Sequence, residues 1–146
     1  MKRPFYFTLV LLVLLGCLTA CTSTKTMSGM LAGDATATPK VEEMMVALAT
    51  DSISDAKSLM HPKVSEKSDN AIAQMSAYLA GREASSIEQQ TISVNTSSGT
   101  SGKTVQEQVS YRVTLTDGEV VYLNVVHLTD TLGTGFHSFQ LVLGVV

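Results

Sequence analysis

The stretch TVQEQVSYRVTLTDGEVVYLNVVHL, residues 104–128, decides the fold. Apolar and polar residues alternate along residues 104–116, as is typical of a β-strand with one buried face. The apolar set is Val105, Val109, Tyr111, Val113 and Leu115. Asp117-Gly118 is a strong hairpin signal, and residues 119–128 are apolar on both faces, which favours a central strand. The stretch therefore predicts an antiparallel hairpin at the centre of a sheet.

A two-residue Asp-Gly loop would pair Thr116 with Glu119, and this register assigns side chains to the two faces of the sheet. One face is then almost wholly apolar, has to meet helices, and carries no Asp or Glu. The other face is mixed, which is common where a partner or a second copy binds. The candidate pocket residues on the apolar face are Tyr111, Tyr122 and Asn124. The candidates on the mixed face are Arg112, which could hold an anionic ligand or form a salt bridge, and Val121, Leu123 and Val125.

Weaker patterns surround this hairpin. Residues 87–95 predict an edge strand and residues 136–145 a last strand. Three amphipathic helices are predicted before the sheet, in residues 38–48, 52–61 and 68–80. Their inward side chains are Val41, Met44, Met45, Leu48, Ile53, Ala56, Leu59, Met60, Ile72, Met75, Tyr78 and Leu79. We therefore expect an α+β fold, with N-terminal helices packed on one face of a curved antiparallel sheet of about four strands.

The N-terminus has the three parts of a secretory signal. Lys2 and Arg3 are positive, residues 5–15 are apolar, and residues 16–20 are mostly small. The apolar part is well below the roughly 20 residues that a membrane-spanning helix needs. The end of the signal, Leu18-Thr19-Ala20-Cys21, resembles the lipobox of bacterial lipoproteins.

The lipobox resemblance implies that Cys21 is diacylglyceryl-modified and becomes the mature N-terminus. The protein would then be held at the cell envelope, outside the cytoplasm, by its lipid. The family's sorting residue is here Thr22 rather than Asp, which implies the outer membrane if the source has two membranes. The expected organisation is a signal peptide at 1–20, a flexible tether at 21–38 that is rich in Thr, Ser, Gly and Ala, and one domain at 39–146.

Charge and cysteine content exclude several classes of protein. The first 20 residues hold two of the 10 basic side chains and none of the 13 acidic ones, so the remainder carries a net charge of −5. So acidic a domain is a poor candidate for binding nucleic acid. Of the two cysteines, Cys17 leaves with the signal and Cys21 is lipidated, so no disulfide is expected. We expect no cofactor.

The order of elements resembles the small bacterial lipoproteins with a nuclear-transport-factor-like domain, a cystatin-like cone that is sometimes labelled lumazine-binding-like. The resemblance lies in TPKVEEMMVAL at 38–48, DAKSLMHP at 55–62, TDG at 116–118 and TGF at 134–136. It implies a space between helices and sheet that can hold a small ligand, where related enzymes place an Asp/His pair. No strand is predicted between the second and third helices, although larger members of the fold have one there.

The run GTSGKT at residues 99–104 is similar to the end of a phosphate-binding P-loop. The P-loop pattern requires a glycine where this chain has Ser97, and it requires a helix after Lys103-Thr104. A strand is predicted there instead. Residues 96–103 are therefore interpreted as a hairpin turn.

The three histidines, His61, His127 and His137, are far apart in sequence, and a zinc site needs three or four converging ligands. His127 and His137 would be neighbours if they paired across the last hairpin. A shift of one residue would separate them and place Phe139, Leu141 and Leu143 on the apolar face, which burial favours. No metal site is expected.

These patterns favour a non-enzymatic, membrane-anchored binding or interaction module. It would bind a small apolar ligand in the helix–sheet space, or an envelope protein or a second copy through the mixed face. The alternative hypothesis is a small cone-fold enzyme, an isomerase or hydrolase, that uses a helix–sheet pocket.

Overall fold

The computed structural model describes residues 27–28 and 35–143. The helices are α1 (Thr38–Ala49), α2 (Ile53–Ser58), α3 (Pro62–Ser65) and α4 (Asp69–Leu79). The strands are β1 (Met27–Ser28), β2 (Ala84–Gly99), β3 (Gly102–Leu115), β4 (Val120–Asp130) and β5 (Gly133–Leu143). They form one antiparallel sheet in the order β1-β2-β3-β4-β5. Helices beside a sheet of four long strands confirm the predicted α+β class.

The two longer helices form where the apolar spacing predicted them. Pro39 lies in the first turn of α1, where a missing N–H removes no helical hydrogen bond. One side of α1 is buried, and its side chains are Val41, Met44, Met45, Ala47 and Leu48. The buried hydroxyl of Ser76 in α4 lies 2.9 Å from the carbonyl oxygen of Leu48 and 2.8 Å from Asp51 Oδ1, so it connects α4 to the end of α1.

Helix α3 was not predicted. The sequence predicts one helix over 52–61, but α2 ends at Ser58 and Pro62 begins a new helix, because proline suits the first helical turn. The side chain of His61 supports this start, since its Nδ1 accepts a hydrogen bond of 3.2 Å from the backbone N–H of Lys63.

The hairpin between β3 and β4 differs from the prediction by one residue. The Leu115 N–H donates to the Glu119 carbonyl oxygen at 2.8 Å, so the loop has three residues, Thr116, Asp117 and Gly118. Gly118 has a φ of 89°, whereas Asp117 does not have a positive φ. A two-residue type I′ loop needs positive φ at both central positions, and a three-residue loop needs it only at the last. Val113 consequently pairs with Val121 rather than with Tyr122.

This one-residue difference exchanges the two faces of β4. Val121, Leu123 and Val125 are buried in the core, so their prediction as surface interaction residues is wrong. Tyr122 and Asn124, predicted to face the helices, are exposed on the opposite face. The hydrophobic core contains these three β4 side chains and, from the other strands and the helices, Tyr111, Val113, Phe136, Met44, Leu48 and Leu79.

The last hairpin combines features of both registers considered from the sequence. Val125 pairs with Phe139 and Leu123 with Leu141. A bulge between Val126 and His127 then shifts the pairing, so that His127 lies opposite Phe136 instead of His137. Phe139 is buried and Leu141 packs against the core, as burial predicted, whereas Leu143 is exposed.

The chain between α2 and α3 adds a short bridge to the sheet, where no strand was predicted. Met60 forms a parallel bridge with Phe136. The His61 N–H donates to the Phe136 carbonyl oxygen at 2.9 Å, and the Phe136 N–H donates to the Leu59 carbonyl oxygen at 2.9 Å. Gly135 allows this approach, since a Cβ there would lie 2.7 Å from the backbone nitrogen of His61.

Arg82 connects the end of α4 to the β3–β4 loop through hydrogen bonds and ion pairs. Its guanidinium donates to the carbonyl oxygens of Tyr78 and Leu79 at 2.8 and 2.9 Å, which satisfies the last carbonyls of the helix. The same group forms ion pairs with Asp117, at 2.9 Å, and with Glu119. The Tyr78 hydroxyl and Arg82 both hydrogen-bond Glu119 and lower its pKa. Helix and hairpin are thus held together by charge as well as by the core.

The predicted signal peptide, Cys21 and most of the predicted tether lie outside the described residues. Within the tether range of 21–38, Met27 and Ser28 pair with Val94 and Ser93 of β2. Ala35 and Ala37 are buried against the domain. The packed part of the chain therefore includes residues that precede position 39.

Candidate functional site

The face of the sheet that points away from the helices is the first candidate site, and we call it the outer face. Alternation along β3 and β4 places Arg112, Tyr122 and Asn124 on it. These are three of the seven candidate residues predicted from the sequence. Within residues 35–143 the helices pack on the other face, and Tyr122 remains 40% exposed.

Cross-strand pairing arranges the outer face in rows. Arg112 pairs with Glu88 on one side and with Tyr122 on the other, and Tyr122 pairs with Val142. This row therefore runs across β2, β3, β4 and β5. Tyr122 and Val142, which is 42% exposed, place two large apolar surfaces side by side in water. The row combines a cation, an aromatic ring and an aliphatic side chain.

The neighbouring row is polar and uncharged. It consists of Thr91, Ser110, Asn124 and Gln140, and the Ser110 hydroxyl donates to Asn124 Oδ1 at 2.9 Å. The charges in these two rows are those of Arg112 and Glu88, whose Nη1 and Oε2 atoms are 3.6 Å apart and largely neutralise each other. The centre of the outer face is therefore close to neutral in a protein with 13 acidic side chains.

The other four predicted candidates, Tyr111, Val121, Leu123 and Val125, lie in the core. The Tyr111 hydroxyl is 3.0 Å from Thr38 Oγ1 at the start of α1, which satisfies both groups. Since these side chains pack against the helices, they fill the part of the helix–sheet space where a small apolar ligand was expected. The structure therefore does not bring the seven predicted residues together in one site.

Glu107 is a buried carboxylate on the helix-facing side of β3, so the prediction that this face lacks acidic residues is wrong. Its Oε2 accepts hydrogen bonds from Thr36 Oγ1 at 2.8 Å and from the Ala37 N–H at 3.1 Å. Its Oε1 accepts one from the Thr36 N–H at 3.3 Å. A negative charge at the N-terminus of α1 is also favoured by the helix dipole. Both oxygens of Glu107 are thus used to hold the start of α1.

His127 lies beside Glu107 on the same face, with 3.9 Å between Nδ1 and Oε2. Its ring also packs edge-on against Phe136, at 5.4 Å between centroids. Burial lowers the pKa of His127 below its ordinary value. The carboxylate of Glu107 opposes this shift, while His61 and Lys40 add to it.

His61 and Asp130 form a second buried pair, near the end of β4. With Nδ1 accepting from Lys63, Nε2 carries the proton and donates to Asp130 Oδ1 at 3.1 Å. The Asp130 side chain is 7% exposed and also accepts from Lys63 Nζ at 2.5 Å and from the Leu132 N–H at 2.8 Å. The bond from Lys63 is the main reason that the pKa of Asp130 falls to about 2. Both ring nitrogens of His61 are occupied, so the pair secures the loop before α3.

The His127–His137 pair that was considered as an alternative from the sequence does not form, because His127 pairs with Phe136. His127 is buried and His137 is exposed. Among the described residues, no group of three or more His, Cys, Asp or Glu is placed to hold a metal ion. The GTSGKT run spans the hairpin between β2 and β3, and a strand rather than a helix follows it, as predicted. The turn itself is only Thr100-Ser101, shorter than the predicted 96–103, because β2 and β3 remain paired up to Gly99 and Gly102.

A cleft of about 280 Å³ lies between α1 and the start of β2. Met45, Ala84 and Ile87 contribute apolar surface, and Val46 on α1 is 62% exposed beside them. Glu42 and Glu83 also line the cleft. This cleft was not predicted, because it depends on how closely α1 approaches the edge of the sheet.

In the part of the chain that the structure describes, no helix has the length and apolar character needed to span a membrane. Comparison with models of protein families, with curated proteins and with solved structures found no match.

Proposed function

We propose that the protein is a lipid-anchored, non-enzymatic interaction module of the cell envelope that binds a protein partner through its outer face. The lipobox-like sequence at Cys21 supports the anchor. The arrangement of helices on one face of a long antiparallel sheet, with the added Met60–Phe136 bridge, supports a cystatin-like or nuclear-transport-factor-like cone.

The observation that carries the proposal is the exposed row of Arg112, Tyr122 and Val142 on a face that the described helices leave open. Tyrosine and arginine are enriched in protein interfaces and often supply much of the binding energy. The Arg112–Glu88 ion pair leaves the two central rows with no net charge, so a partner would not be repelled by like charges there.

The size of the outer face also favours a protein over a small molecule. Strands about 4.8 Å apart with a rise of about 3.3 Å per residue give four strands of eleven residues an area of roughly 700 Å². A typical specific interface buries about 800 Å² on each partner. A small ligand would instead need a concave pocket.

The alternative, a cone-fold enzyme, has less support. Its best evidence is the buried Glu107–His127 pair on the helix-facing side of the sheet. A catalytic base needs an accessible lone pair directed at a substrate. Glu107 is instead occupied by the hydrogen bonds that hold the start of α1.

The anchor is tested by metabolic labelling with radioactive palmitate. We expect the intact protein to take up label and to partition with membranes, and a Cys21→Ser variant to do neither. Uptake of label by the Cys21→Ser variant would contradict lipidation at this residue.

The interface is tested by a photo-crosslinking amino acid at position 122 in intact cells, with the same residue at the exposed Gln74 of α4 as the matched control. We expect a discrete crosslinked protein from position 122 alone, and loss of this product when Asn124→Lys places a charge in the neutral row. A product of twice the chain mass would identify the partner as a second copy. Equal products from positions 122 and 74 would count against the outer face as the interface.

A further inference from the structure

The edge of β2 beside α1 is a second surface, separate from the outer face. Strand β2 lies at one side of the sheet, and within the described residues β1 covers it only at Ser93 and Val94. The segment from Ala84 to Glu88 is at the other end of the strand. An uncovered strand edge offers unpaired N–H and C=O groups to any extended chain that reaches it.

Two bulges shape this edge. The pairing with β3 skips Ser85 and Gln90, and the register between them is regular from Ser86 to Gln89. Bulges limit indefinite edge-to-edge pairing by twisting the strand. The regular edge between the two bulges, from Ser86 to Gln89, is long enough for an added segment of a few residues.

The cleft between α1 and β2 adjoins this short edge. Ile87 contributes to it from the strand, and Met45 and Val46 contribute from the helix. A volume of about 280 Å³ is at the lower limit for a drug-sized ligand, but it suits one or two aliphatic side chains of an extended peptide. Side chains of an added strand alternate in direction, so every second one could enter the cleft.

The charge of the cleft defines its occupant further. Glu42 and Glu83 both line it and are exposed. Among the described residues neither side chain forms an ion pair, since Lys40 pairs with Glu43 and Arg82 pairs with Asp117 and Glu119. The two carboxylates, one on α1 and one next to the start of β2, line the cleft together with apolar side chains, and this combination favours a ligand with cationic side chains next to an apolar one.

We propose that the α1–β2 cleft binds an extended, basic peptide segment that adds to the edge of β2, with an aliphatic side chain in the cleft and Lys or Arg near Glu42 and Glu83. Backbone pairing would give affinity, and the pocket and the carboxylates would give selectivity.

The test uses the mature chain in detergent and a panel of fluorescein-labelled octapeptides that alternate Val, Leu or Ile with Thr and are flanked by Lys. An identical panel flanked by Glu is the control. Fluorescence anisotropy is expected to show saturable binding of Lys-flanked members with Kd below about 1 mM and at least tenfold weaker binding of their Glu-flanked counterparts. Failure of every Lys-flanked peptide to bind more tightly than its counterpart would overturn the proposal.

Two further measurements separate strand addition from simple charge attraction. The double variant Glu42→Lys, Glu83→Lys is expected to weaken binding about tenfold or more, while Glu66→Lys, an exposed control at the C-terminal end of α3 that does not line the cleft, changes it less than about twofold. N-methylation of alternate amides along one peptide edge removes the donors that pair with β2 and is expected to abolish binding. The proposal is contradicted if the cleft and control variants weaken peptide binding equally. It is also contradicted if peptides N-methylated along either edge bind as tightly as the unmodified peptide. Urea unfolding of each variant verifies that the fold is retained.

Discussion

Gly135 lies against the backbone of His61, so closely that a Cβ at position 135 would come within 2.7 Å of the His61 nitrogen. Both hydrogen bonds of the Met60–Phe136 bridge depend on this approach. Because the atoms in the way belong to the backbone, a side-chain rotation cannot relieve the clash.

Gly135→Ala is therefore expected to lower the free energy of unfolding by about 2–4 kcal/mol, through overpacking and loss of backbone hydrogen bonds. Urea denaturation followed by circular dichroism measures this. Gly99→Ala is the matched control, because a Cβ at Gly99 meets nothing within 4 Å, and it should change stability by less than about 0.5 kcal/mol. Equal stability of the two variants would show that the bridge is not closely packed.

Truncation of two adjacent residues of β4 should lower stability by very different amounts. Leu123 is fully buried, so Leu123→Ala is expected to cost about 2–5 kcal/mol of stability. Tyr122 is on the outer face, so Tyr122→Ala should cost less than about 1 kcal/mol. Thermal unfolding of both variants measures the difference, and a larger loss from Tyr122→Ala would mean that the faces of β4 are the reverse of those described.

His127 should make stability fall as pH decreases below neutral. Its folded-state pKa lies below the ordinary value of 6.5, so the unfolded chain binds the proton more readily. The favourable contribution is thus complete above about pH 6.5 and declines as pH falls from there toward the folded-state pKa. Urea midpoints measured from pH 7.5 to 5 should show this slope in the wild type and in a His137→Gln control, but a weaker one in His127→Gln. An unchanged slope in His127→Gln would exclude His127 as the cause.

Asp130 should make stability depend on pH in a more acidic range than His127 does. Its pKa falls from 3.8 to about 2 on folding, so its contribution is present above about pH 4 and is lost as pH falls through the interval between these values. Asp130→Asn should be less stable at pH 7, because it loses the ion pair with Lys63, and its stability should depend less on pH between 4 and 2. Asp55→Asn removes an exposed carboxylate outside the ion pairs described here and should keep the wild-type slope. A wild-type acid slope in Asp130→Asn would contradict the assignment.

The fold class could be predicted because local patterns determine it. The spacing of Val41, Met44, Met45 and Leu48 suits only a helix with one buried side, and the alternation along β3 suits only a half-buried strand. The register of β4 could not be predicted in the same way. Its residues are apolar on both faces, so burial does not choose between registers, and the loop length depends on the φ of Asp117.

The buried polar groups were missed for two different reasons. Glu107 could have been found, since it lies two residues from both Val105 and Val109 and must share their face. His61 and Asp130 are 69 residues apart in the chain and meet only through the folded structure. Arg112, Tyr122 and Asn124 all lie on the outer face, but only Arg112 was predicted there, whereas Tyr122 and Asn124 were predicted to face the helices.

The methionines of α1 determine how the folded domain should respond to oxidants. Beyond the predicted anchor at Cys21 the chain has no cysteine, so thioethers are its only oxidisable sulfur atoms. Met44 and Met45 are buried in the core, whereas Met60 and Met75 are partly exposed. Peroxide should therefore convert Met60 and Met75 to sulfoxides first. Sulfoxide at Met44 and Met45 should accumulate only as fast as α1 transiently separates from the sheet, so these two residues report on that opening.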